Sequence, residues 1–242
     1  MGATLAAYGP FALWHPEVAL LVVLLAILYH QLVGPLAARF GAAEPVRPGQ
    51  IAAMYGALLL LYASIGSPLE LLADRYLFAA HMLQFVLLTK VMPPLLLAAL
   101  PPWFWRTLRD SPGVGPPWRF MTRPAVAVTF FSGLFTVLQL PAVLDPSLRS
   151  NALYVLEQLV QLLAGVWMWW PVLASEDRLT PGMQLLYLFV AAEFMMPVVF
   201  WLLFLTNRPL YAPYGAGDHL FLTAVSDQEL GAILMFVGMI VS

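Results

Sequence analysis

FAAHMLQFVLLTKVMPPLLLAALPPWFWR, residues 78 to 106, decides how this chain is read. It is apolar for longer than the about 20 residues a helix needs to cross a bilayer. Yet it carries His81, Gln84 and Lys90, and a Pro93-Pro94 break, inside that length. An ionisable side chain costs roughly 2.5 to 3.5 kcal/mol at the centre of a membrane helix even on the lenient insertion scale, so its presence points to a role.

The rest of the chain has the same character. The 242 residues are 62% hydrophobic and 10% charged, with a mean hydropathy of +0.83, and a soluble fold of this length has too little polar surface to cover such a composition. The reading is an all-α integral membrane protein in a lipid bilayer. A net charge of −2 leaves no basic face to displace counterions from phosphates, which excludes general nucleic-acid binding. With no cysteine, thiolate metal sites and disulfides are excluded, and His, Met and carboxylate are the metal ligands that remain. The N-terminal MGATLAAYGPFALWHPE has no basic n-region and reads as an exposed lead-in rather than a signal peptide.

Apolar windows fall near 17–37, 50–68, 77–100, 124–143, 153–174 and 183–206, and a seventh runs from 229 to 242. The seventh holds about 15 residues, or roughly 22 Å of helix. These make one seven-helix transmembrane domain over 1–242, punctuated by Pro-rich loops such as 101–123. Tryptophans such as Trp103, Trp105, Trp118 and Trp170 lie near span ends, as headgroup anchoring predicts. With the N-terminus outside, the inner loops carry seven arginines (Arg39, Arg47, Arg106, Arg109, Arg119, Arg123, Arg178) and the outer loops three (Arg75, Arg149, Arg208). That excess sets the N-terminus outside and the C-terminus in the cytoplasm.

This orientation sorts polar residues by depth. His81 lies within about two turns of the outer face, and Gln84, Glu157, Gln158, Asp227 and Gln228 fall at the same level, so an outer polar cluster is predicted. His81 and Gln84 are three apart and share a helical face. An imidazole with thioethers suits Cu(I), and His81, Met82, Met195 and Met196 are the candidate metal residues. The plainer reading is a hydrogen-bonded histidine fixing helix packing, with Met as a gap-filler. Lys90 lies about 20 Å inward, and Glu193 falls within about one turn of that depth on span six. A Lys90–Glu193 ion pair is predicted, acting as a clasp between two spans or as a proton relay.

Other chemistries lack their signatures. Span seven has no lysine for a retinal Schiff base. His30 and His81 lie at different depths, which does not suit haem. No nucleophile–base pair or phosphate loop is present, and without an inverted repeat a transporter is the weaker reading.

Ordered strings run along most of the chain: His81-Met82-Leu83-Gln84, Pro93-Pro94-Leu95-Leu96-Leu97 with Pro101, Met168-Trp169-Trp170-Pro171-Val172-Leu173, Pro209-Leu210-Tyr211 with Tyr214, and Asp227-Gln228 with Gly231 and Met235. In this the chain resembles the Bacillus-type cytochrome c oxidase assembly factor family called CtaG, a seven-span bacterial family. The resemblance implies a non-enzymatic factor of the bacterial inner membrane for assembly of a respiratory haem–copper oxidase, with copper handled on the outer side. The chain departs from that pattern where relatives carry further histidines, at Phe85 and at Glu157-Gln158. The alternative it leaves open is a structural subunit of a larger respiratory or photosynthetic electron-transfer complex, without metal.

Overall fold

The structure, a computed structural model, describes residues 14–40, 45–174, 178–205, 207–216 and 222–240. The N-terminal lead-in through residue 13 and the last two residues of the predicted seventh span lie outside these. Proline opens most of the helices. Pro16, Pro48, Pro68, Pro102, Pro124, Pro141 and Pro181 each stand at the first helical position, where a missing N–H is no loss and the fixed φ favours the helix.

The helices are α1 (Pro16–Val33), α2 (Pro48–Ile65), α3 (Pro68–Arg75), α4 (Phe78–Ala99), α5 (Pro102–Asp110), α6 (Gly115–Met121), α7 (Pro124–Leu138), α8 (Pro141–Ser147), α9 (Asn151–Leu173), α10 (Pro181–Phe204), α11 (Ala212–Ala216) and α12 (Ala224–Ile240). Among the described residues all regular structure is helical. Five helices, α1, α2, α4, α9 and α10, are long and apolar enough to cross a membrane. A sixth span exists if α6 and α7, bent by 80° at their junction, count as one. The expected seventh corresponds to α12, which has 17 residues and begins before Asp227. Five to six such helices make this a multi-pass membrane protein.

Helix α4 is the hub: α2, α9, α12 and the short α3 all pack on it. Its sequence explains how it stays continuous through two prolines. Pro93 and Pro94 cannot donate to the carbonyls four residues back, and residues 87–91 relax into a π-turn in which the Met92 N–H reaches the Leu87 carbonyl. The Thr89 carbonyl, left without a helical donor, accepts from the Trp169 indole of α9 at 3.1 Å. The expected break is thus a bulge with an outside donor.

Glycine lets α9 come that close. A Cβ on Gly165 would lie 2.9 Å from Pro93 Cγ and 3.0 Å from both the Cα and the oxygen of Thr89. On the other flank Gly231 and Gly238 of α12 admit Phe78, Met82 and Val86 of α4. The main core fills the space among α4, α7, α9, α10 and α12, with Phe78, Met82, Phe131, Met168, Met195 and Met235 deeply buried. Helix α1 packs on α2 and is only 6% buried over its apolar window. Trp118 and Trp170 are buried against Trp105.

Candidate functional site

Where α1 and α4 begin, four helices bring polar side chains into a buried knot. Helix α9 supplies Tyr154, Glu157, Gln158 and Gln161, a polar stripe at helical spacing on an otherwise apolar helix. Helix α4 supplies His81 and Gln84, one turn apart. Gln84 Nε2 donates to the Ser64 carbonyl at 2.6 Å and to Glu70 Oε2 at 2.7 Å. Its Oε1 accepts from Tyr154 at 2.6 Å and from Gln158 at 3.4 Å.

Glu157 holds the second half of the knot. Its carboxylate accepts from Ser147 at 2.6 Å and from Gln161 at 2.9 Å. His81 Nε2 lies 3.4 Å from Glu157 Oε1, and its ring is 5.9 Å from that of Tyr154. His81 is 2% exposed, and among the described residues neither ring nitrogen has a hydrogen-bond partner. A buried imidazole beside a carboxylate, without a hydrogen-bond partner among the described residues, is the feature of the knot that calls for a role.

The knot opens on one side to a cavity of about 280 Å³ bounded by α1, α2, α3, α4 and α9. His15, Glu17, Glu70 and Gln158 line it together with Leu61, Leu88 and Leu162. Glu70, on the short helix α3, has its carboxyl pushed up to about 7, chiefly by burial and against the opposing effect of the Gln84 hydrogen bond.

The predicted outer cluster therefore divides. Gln84, Glu157 and Gln158 gather around His81, while Asp227 and Gln228 of α12 form a separate lock. Asp227 accepts from the backbone N–H of Phe78 at 2.7 Å and of Ala79 at 3.0 Å, capping α4 from another helix. Gln228 accepts from the Leu210 N–H at 3.0 Å. Beside them Tyr214 donates to the Ala73 carbonyl and Tyr211 to the Gln139 carbonyl at 3.0 Å. Sequence reasoning missed Tyr154, Gln161 and Ser147. The i, i+3, i+4, i+7 stripe on span five was the available signal for the first two.

Of the four candidate metal residues, His81 sits in the polar knot, while the methionines lie elsewhere along their helices. Met82 Sδ accepts from Gln139 at 3.6 Å and lies in the main core with Met195, and Met196 is 37% exposed on α10. Among the described residues no three His, Asp or Glu side chains come together at metal-binding range.

The Lys90–Glu193 pair does not form. Lys90 is buried with Nζ 5.1 Å from the centre of the Phe131 ring, a cation–π contact in place of an ion pair. Glu193 points out of the bundle.

Compared with known proteins, the chain matches no curated protein and no solved structure. The family model described as cytochrome c oxidase caa3 assembly factor matches residues 27–242, from the second half of α1 through the polar knot to the end of the chain, and the chain belongs to that family.

Proposed function

We propose that the protein is a non-enzymatic assembly or accessory factor for a respiratory haem–copper oxidase of a bacterial inner membrane. In this reading seven spans place the N-terminus and the His81 knot on the outer side and the C-terminus in the cytoplasm. The family match over residues 27–242 carries the reading, and the knot gives it a location. Copper handling belongs to the proposal in a reduced form. His81 and Glu157 are two donors, a half-site that ligands of the client protein complete. The neighbouring hydrogen bonds of Glu157 fix that carboxylate so that it faces the imidazole.

The test is deletion in the native host followed by complementation. Loss of the haem a absorbance and of cytochrome c oxidase activity, with oxidase subunits still synthesised and function restored by the wild-type chain, is expected. Normal oxidase in the deletion strain overturns the assembly role. Metal analysis of the purified protein, alone and with its client, before and after His81→Ala tests copper separately: an equal, near-zero load throughout removes it.

A second reading is a resident structural subunit of a respiratory or photosynthetic electron-transfer complex. Phe85 and Glu157-Gln158, which stand where relatives carry further histidines, favour it. Stoichiometric co-purification with a mature complex in mild detergent distinguishes it from transient association.

A further inference from the structure

Glu193 is a carboxylate on a helix face that otherwise suits lipid. It stands near the middle of α10, twelve residues from Pro181 and eleven from Phe204, roughly 16 to 18 Å along the axis from either end. Its side chain is exposed on the surface of the bundle. Of the chain's eleven basic residues, ten are arginines in loops, in short helices or at helix ends, and the eleventh, Lys90, lies over Phe131. Among the described residues none of them pairs with Glu193. The carboxylate has no polar interior to turn into, because the opposite face of α10 presents Ala191, Met195, Val198 and Leu202 to the core.

The residues around Glu193 shape a seam. Leu186, Phe189, Glu193, Met196, Phe200 and Leu203 follow one another in steps of three and four, the spacing that receives a second helix in left-handed knobs-into-holes packing. Leu186, Phe189 and Phe200 are each more than half exposed. Apolar positions alone would suit acyl chains equally well. The carboxylate separates the two cases, since ionisable groups inside a membrane pair with one another or with other polar groups rather than face lipid tails, and a single polar position in such a seam fixes register.

We propose that this stripe docks one transmembrane helix of a partner protein, with a lysine, arginine or protonated histidine at mid-membrane depth opposite Glu193. A second copy of the chain would instead bring two carboxylates together in a medium that disfavours ionising both. The inference names a surface and the charge of its occupant, and it stands whichever complex the protein serves.

Because the chain has no cysteine, the full-length protein can be labelled with a donor fluorophore at Gly113→Cys, a site with open space around it. Energy transfer in phosphatidylcholine vesicles is then measured to leucine-rich transmembrane peptides of about 20 residues with Lys, Leu or Glu at the centre. The Lys peptide is expected to bind about tenfold more tightly than the Leu peptide, and the Glu peptide no more tightly. Glu193→Leu is expected to abolish the preference and Glu193→Gln to reduce it, with thermal melting unchanged in both. Equal binding of the Lys and Leu peptides, or a preference that survives Glu193→Leu, overturns the proposal. So does Glu193-dependent energy transfer between two copies of the chain, which would assign the seam to self-association.

Discussion

A glutamine side chain has two N–H donors and an oxygen with two lone pairs, and Gln84 uses all four, tying α2, α3 and α9 to α4. Its neighbour Glu70 makes the knot sensitive to pH. Burial holds the Glu70 carboxyl at about 7 against an ordinary value of 4.5. Between those values the folded protein keeps a proton that the unfolded chain gives up, so the native state binds more protons and stability falls as pH rises through the window. Melting temperatures in detergent are expected to decline from about pH 5 to about pH 7, and Glu70→Gln is expected to flatten the decline. An unchanged slope in that variant would assign the pH dependence elsewhere. The His81–Gln84 face was legible in the sequence from its three-residue spacing. The work of Asp227 was not, because a carboxylate that caps a helix 149 residues earlier in the chain leaves no local pattern.

At the level of elements, the π-turn of α4 and the glycine opposite it form one joint. The Gly165 Cβ position meets backbone atoms of Thr89, which cannot rotate away. Gly165→Ala is therefore expected to destabilise the protein by about 1–3 kcal/mol, read as a lower melting temperature or denaturation midpoint. Gly133→Ala, where nothing lies within 4 Å, serves as the matched control, and equal effects would deny the joint its importance. The prolines of α4 announced an irregularity. They could not announce a bulge rather than a break, since the rescuing indole of Trp169 comes from a residue 80 positions away.

For the whole molecule, hydropathy located the long helices to within a few residues but not their facing, because core and lipid select the same apolar side chains. Glu193 is the example: its place near the middle of a long helix was readable, and its direction was not. The crossing of the bent α6–α7 pair is open to direct measurement. Cysteines introduced at Gly113 and at Arg149, both exposed, lie on either side of α7. With the proposed topology a membrane-impermeant maleimide labels Arg149→Cys in intact cells and Gly113→Cys only after permeabilisation. Labelling of both from one side would show that this segment turns back within the membrane.

The indole hydrogen bond and the tight glycine seat also constrain how the bundle moves. Sliding α9 by one residue along its axis would pull the Trp169 donor off Thr89 and drive a new side chain into Pro93. The two helices are toothed together, so axial sliding of one past the other is opposed at both the indole bond and the glycine seat.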